Sequence, residues 1–266
     1  MPWVTTSTAY DAWSGGRVSE RAECVLCPNP GPMTLDGTNT WVLAEPGADQ
    51  VVVIDPGPLD ESHLQRVLDH VGERSVGLTL LTHNHFDHAE SADRWAELTG
   101  APVRGAGLGD PFADDERIAL AGLEIRAVLT PGHTQDSVSF VLPGDRVLLT
   151  GDMVLGRGTS VVAHPDGDVA SYLTSLDRMI ALSGQEIDTI APGHGPVIDD
   201  AHAVLTYYRD HRQARLQQVR EALDAGARDA DDVVEAVVER VYADVDRSVW
   251  PAARLTVQAQ LTYLER

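Results

Sequence analysis

Thr82-His83-Asn84-His85-Phe86-Asp87-His88 concentrates ligand chemistry more densely than any other stretch of the 266-residue chain. His83 and His85 stand two apart, so an extended backbone turns both imidazoles to one side, toward a single ion. Asp87 and His88 follow where the chain turns into a helix, which directs them to a neighbouring ion. Each ion then needs ligands from elsewhere. Three polar residues beyond apolar runs supply them: His133 in PGHT, Asp152 in TGD and His194 in PGHG. A carboxylate can bridge two ions through its two oxygens, which suits Asp152. Two adjacent divalent ions would lower the pKa of a bridging water, making hydroxide available near neutral pH, and would stabilise the oxyanion formed on attack. No serine or cysteine nucleophile is needed, and Asp87 is also a candidate to steer the hydroxide or shuttle a proton. Two Zn2+ are the default for an imidazole and carboxylate set with open positions, and iron or manganese is compatible.

The elements that must position these residues are legible as short apolar runs ending in Asp, His or Gly. They are Val51 to Ile54 before Asp55, Leu78 to Leu81 before His83, Ile125 to Leu129 before His133, Val147 to Leu149 before Asp152, and Ile187 to Ile190 before His194. Such runs read as buried strands. Helical stretches lie between several of them, among them Glu61 to Val71 and Ala89 to Leu98. This alternation indicates an α/β architecture, in which sites form beyond the strand ends. From about residue 203 only helices are expected. Leu216, Val219 and Leu223 precede a stop at Gly226. Asp229 caps a helix bearing Val233, Val234, Val237, Val238 and Val241, and Ser248 opens a third with Pro251 in its first turn.

Charge is uneven. Residues 1–200 carry 11 Arg against 30 acids, and residues 201–266 carry 9 against 11, so nearly all of the net −21 lies in the first part. There is no lysine. An acidic surface disfavours non-specific binding of polyanions. The concentrated positive charge is Arg209, Arg212, Arg215 and Arg220, a row suited to phosphate recognition. Cys24 and Cys27 lack a second pair for a zinc ribbon and the context of a redox motif, so they read as thiols in a loop or strand. His63, His70, His202 and His211 read as surface or helix residues. His164 reads as a loop residue, with the substrate entrance as the alternative. No run approaches the roughly 18 apolar residues of a membrane span, and the start resembles no leader, so a cytoplasmic protein is expected.

In this order and at these separations, THNHFDH, PGHT, TGD and PGHG resemble the metallo-β-lactamase superfamily over roughly residues 20–200. The resemblance implies an α/β fold, a four-layer αβ/βα sandwich. It assigns His83, His85 and His133 to one metal site and Asp87, His88 and His194 to the other, with Asp152 shared. Asp55, in VVVIDPG, matches the family's early strand-end aspartate and is implied to orient ligands from behind. Met33 to Trp41 and Asp244 to Leu261 resemble the branch with a C-terminal winged-helix-like domain, which includes a mitochondrial single-strand endoribonuclease. The implied division is a catalytic domain at 1–202 and a small all-helical domain at 203–266. No full wing hairpin is expected, since the third helix reaches almost to Arg266.

Other branches fit less well. Ala89-Glu90-Ser91 stands where glyoxalase II-like thioesterases carry Gly-Gly, Asp152 where resistance lactamases carry cysteine or serine, and His85 where flavodiiron reductases carry glutamate. Three functions follow as expectations. The leading one is hydrolysis of a phosphodiester in single-stranded RNA. The second is a thioesterase or lactonase acting on a small ester or thioester, with a weak β-lactamase side activity. The third is a non-catalytic regulator stabilised by its metals. The tail is expected to shape substrate access or homodimer contacts more than the chemistry.

Overall fold

A computed structural model describes residues 12–266. The leader reading rests partly on residues 1–11, which lie outside this range. The β-branched runs become the middles of two sheets. The first has six strands in sequential order, β1 (Gly16–Arg17), β2 (Ala22–Leu26), β3 (Asn39–Leu43), β4 (Gln50–Ile54), β5 (Ser75–Leu80) and β6 (Val103–Arg104). Its first four strands pair antiparallel, and β4, β5 and β6 run parallel. The second is ordered β11-β10-β9-β8-β7, from β7 (Arg117–Leu120), β8 (Leu123–Leu129), β9 (Val138–Leu142), β10 (Val147–Gly151) and β11 (Thr189–Pro192). Here only β10 and β11 are parallel.

Strand periodicity explains the layers. In β4, Val52 and Ile54 face the core between the sheets, where they join Trp41, Phe140 and Leu149. Val51 and Val53 face the other way, against Leu64, Val67 and Trp95. Side chains on a strand alternate between its faces, so a run buried on both sides must be apolar throughout. The outer helices of this half are α1 (Glu61–Val71), α2 (Phe86–Ala89) and α3 (Ala92–Thr99). Asp60 caps α1 by accepting from the Ser62 and His63 amides. On the outer face of the second sheet lie α4 (Val169–Leu182) and α5 (Ala201–Asp224), which bury Tyr172, Leu176, Leu205 and Tyr208 against Val141 and Leu148. The result is the expected αβ/βα sandwich.

Three expectations are corrected. The helix foreseen over Ala89 to Leu98 is broken into α2 and α3, because the buried Ser91 hydroxyl donates to the Gly57 carbonyl at 2.8 Å and holds the chain at the β4 loop. In the tail, α6 (Val233–Val241) is capped by Asp232, not Asp229, since Asp232 accepts from the Glu235 amide at 3.0 Å. Asp229 instead ends a short 3-10 turn after Gly226. Ser248 lies in a 3-10 turn just ahead of α7 (Trp250–Leu264), which carries Pro251 in its first turn. Val219, Val237, Trp250 and Val257 form the tail's own core.

Long α5 joins both cores: Val204, Leu205 and Leu216 pack with the second sheet's helices, and Val219 and Leu223 with the tail. The two cysteines are free and buried, and burial pushes the Cys27 thiol up to about 12. Among the described residues no helix is long and apolar enough to cross a membrane.

Candidate metal centre

The strand ends deliver the seven predicted ligands to one rim. His83 and His85 follow β5, Asp87 and His88 occupy the single turn of α2, and His133, Asp152 and His194 follow β8, β10 and β11. Two glycines make the approach physically feasible. At Gly132 φ is +144°, and a Cβ there would fall 2.3 Å from the Tyr172 Cα. A Cβ on Gly193 would fall 2.5 Å from Asp152 Oδ1 and 2.8 Å from His88 Cε1, so no larger residue fits behind the cluster.

Two groups of atoms converge. His83 Nε2 and His133 Nε2 each lie 3.1 Å from His85 Nδ1. Beside them, His194 Nε2 lies 3.2 Å from His88 Nε2 and 3.1 Å from Asp87 Oδ2. Asp152 stands between, with Oδ1 3.4 Å from His88 Nε2, and Oδ2 3.4 Å from His194 Nε2 and 3.8 Å from His133 Nε2. All seven side chains except those of His85 and Asp87 are about nine-tenths buried or more.

The hydrogen bonds behind the rings determine which nitrogens face inward. His133 Nδ1 is 2.6 Å from the Val161 carbonyl, and His194 Nδ1 is 3.1 Å from that of Gly37. A carbonyl can only accept, so both Nδ1 atoms carry hydrogen, and in the neutral rings both Nε2 atoms are left bare, free to bind a metal. Asp55 does the same for two more rings. Its Oδ2 lies 2.8 Å from His88 Nδ1 and accepts from the Thr82 hydroxyl at 2.7 Å. That hydroxyl, having donated its hydrogen, accepts from His83 Nδ1 at 3.0 Å. In the neutral tautomers the lone pairs of His88 and His194 face each other, which repels unless a proton or a metal ion lies between them. Asp152 Oδ1, buried and without a hydrogen-bond partner, points to the same conclusion. The donor set therefore fits divalent metal.

Charge preferences agree. Burial pushes His133 down to about 4 and His83 well below its usual value. Burial also opposes charge on His194, but Asp152 and Asp87 outweigh it and hold the ring up at about 9. Asp152 and Asp55 raise His88 against burial in the same way. The side of the cluster nearest the carboxylates favours positive charge, which a proton or a divalent ion supplies.

A cavity of about 370 Å³ opens on His85, Asp87, His133 and Asp152. Met33, Val161, Ala163, Pro165, Ala252 and Leu255 make its apolar walls, and no arginine lines it. His164 also lines it, and its amide donates to the Leu255 carbonyl at 3.2 Å, tying the loop to α7.

Several residues escaped the sequence reading. Thr82 adjoins the motif but gave no signal for its relay role. His63, read as a surface or helix residue, is on α1 yet fully buried. Its Nε2 lies 2.8 Å from the Thr40 hydroxyl, which donates to the Asp55 carbonyl at 2.7 Å and so braces a residue whose φ is +52°. The row of four arginines is not an exposed phosphate-binding strip. Arg209 pairs with Asp210 and Asp177, Arg212 is buried over the Tyr172 ring, and Arg215 lies over Tyr242. Helical periodicity turns Arg212 inward with Leu216 and Val219, leaving Arg220 exposed.

The chain matches the metallo-beta-lactamase superfamily over residues 33–118 and 106–194, and the beta-lactamase associated winged helix domain over residues 234–266. Among curated relatives, it is 31% identical over 265 residues to the beta-lactamase-like protein 2 homolog of Drosophila melanogaster, covering 91% of this chain and 87% of that one. It is 34% identical over 250 residues to the atrochrysone carboxyl ACP thioesterase of Aspergillus fumigatus, covering 86% and 76%. A metallo-beta-lactamase family protein from Thermus thermophilus shares the fold with a TM-score of 0.73 at 21% identity, over 92% of this chain and 93% of that one. From these matches, the two-sheet sandwich and the histidine–aspartate cluster at its rim, the chain belongs to the metallo-β-lactamase superfamily of metal-dependent hydrolases and carries the winged-helix domain associated with it.

Proposed function

We propose that this hydrolase is a thioesterase that cleaves a thioester with an apolar acyl group, including one linked to a carrier. The observation that carries the reading is the wall of the cavity: beside the metal cluster it offers aliphatic surface and no guanidinium. A phosphodiester would call for cations there, whereas a thioester carbonyl with an apolar acyl group needs only the cluster and the wall. The ACP thioesterase among the relatives supports the same substrate class. Single-stranded RNA is the competing substrate, favoured by the winged-helix match.

In this reading His83, His85 and His133 hold one divalent ion and Asp87, His88 and His194 a second, with Asp152 shared, and zinc suits the set better than iron or manganese. When bound, such a pair supplies a water of lowered pKa and positive charge where the carbonyl oxygen becomes an oxyanion. Asp55 and Thr82 hold His83 and His88 in the tautomer that presents Nε2. Asp87, half-exposed at the cavity, is the residue to steer the attacking water and accept a proton. Met33, Val161 and Leu255 receive the acyl group and exclude bulk water. The division into a catalytic unit at 1–202 and a helical unit at 203–266 belongs to the same reading, with α5 as the element common to both.

Metal-loaded protein assayed on medium-chain acyl thioesters and on a labelled single-stranded RNA tests it. Thioester turnover without RNA cleavage is expected. RNA cleavage with no thioester turnover would reverse the choice.

A further inference from the structure

We propose that a second cavity, between the Thr159 to Val161 loop and the tail helices, is an anion subsite that takes a phosphate on the thiol arm of the substrate. The identity of that arm rests on the thioesterase reading. The cavity, of about 260 Å³, is lined by His211, Arg212, Arg215 and Tyr242, and it shares Met33, Val161 and Ala252 with the cavity at the metal centre. The two cavities therefore adjoin, and in this proposal one ligand reaches from one to the other.

Charge is the reason to assign an anion. The chain has 41 acidic residues against 20 arginines, yet no carboxylate among the described residues lines this cavity. Twelve arginines pair with carboxylates among the described residues, and Arg212 and Arg215 are not among them. Arg212 is only 4% exposed. Its Nη2 donates to the Ser160 carbonyl at 2.9 Å, its Nε has no partner, and the Tyr172 ring lies 4.9 Å away. A buried guanidinium with a carbonyl and a ring face for company is incompletely compensated. Arg215 is likewise satisfied by neutral groups, the Val241 carbonyl and the Gln218 amide oxygen. His211 Nδ1 is buried without a partner as well, and burial together with the two arginines depresses this ring to about 4, leaving it neutral.

A phosphate would meet two guanidiniums, whose forked donors match its oxygens. Ser160 links the two places, because its carbonyl accepts from Arg212 while its hydroxyl lies 3.2 Å from His133 Nδ1.

Calorimetric binding of a pair of non-hydrolysable thioethers, S-methyl 4′-phosphopantetheine and S-methyl pantetheine, to the metal-loaded full chain tests the assignment. The phosphorylated compound should bind about tenfold more tightly to the wild type, as expected for a charge-assisted pair. That ratio should fall toward one in Arg215→Gln, whose half-exposed position tolerates the change, and in Arg212→Met if that variant folds. Equal binding of the two compounds by the wild type, or an undiminished ratio in Arg215→Gln, would overturn the subsite. Failure of the thioesterase reading would show separately, as absence of acyl thioester turnover while the binding ratio persists.

Discussion

Replacing Asp55 by Asn should disable both halves of the metal centre although Asp55 is not itself a ligand. The carboxylate is 1% exposed and accepts three hydrogen bonds, from the Thr82 amide at 2.8 Å, the Thr82 hydroxyl at 2.7 Å and His88 Nδ1 at 2.8 Å. Asparagine is nearly isosteric but has only one acceptor oxygen. If that oxygen keeps the Thr82 amide, the new NH2 faces His88 Nδ1 and the Thr82 hydroxyl. His88 must then move its hydrogen to Nε2, the lone pair aimed at the cluster, and the Thr82 hydroxyl turns away from accepting from His83. Loss of such a supporting partner typically weakens metal binding 10- to 100-fold, about 1.4–2.8 kcal/mol. Competition against a chromophoric chelator measures it. Asp55→Asn should lose affinity at both sites, whereas Thr82→Val should weaken mainly the site of His83, and Thr82→Ser should restore it. An Asp55→Asn protein that holds both ions with wild-type affinity would refute the tautomer argument.

Other outcomes follow from the same geometry. Elemental analysis should find close to two ions per chain in the wild type, and Asp152→Ala should lower both occupancy and turnover, because Asp152 approaches His88, His133 and His194 alike. One ion or none in replete wild type would end the dinuclear reading. Gly193→Ala should fold with its circular dichroism nearly unchanged and yet lose metal, since the added methyl group falls on Asp152 and His88. Retention of both ions there would contradict the close approach. Stability should also depend on pH through His63, which burial and then the Arg66 charge push down to about 4. Between the unfolded value near 6.5 and pH 4 the unfolded chain takes up a proton that the folded chain refuses. Stability therefore falls as pH falls across that window, by about 1.4 kcal/mol per pH unit for this group. Urea midpoints of wild type and His63→Asn over that range should converge toward low pH, and parallel curves would exclude the effect.

The seven converging side chains and their strands were legible in the sequence because both signals are local. A β-branched run buried on two faces announces itself by composition, and HxHxDH announces itself by spacing. Helix α1 was legible for a similar reason: the stretch Glu61 to Val71 is local, and Leu64, Val67 and Val71 form its buried stripe.

What tertiary structure alone decided was the pairing of residues distant in the chain. Ser91 breaks a helix because Gly57 lies beside it, and His63 is buried where its Nε2 meets the Thr40 hydroxyl that donates to the Asp55 carbonyl. Arg212 looked like one of four equivalent cations; helical periodicity turns it inward, and the approach of Tyr172 and Ser160 decides what its guanidinium meets there. The apolar wall that favours a thioester comes from Met33, Val161 and Leu255, each unremarkable in its own stretch of sequence. Propensity and periodicity report on neighbours a few residues away, while tautomer, burial and cavity lining depend on which surfaces meet once the two sheets and the tail are packed together.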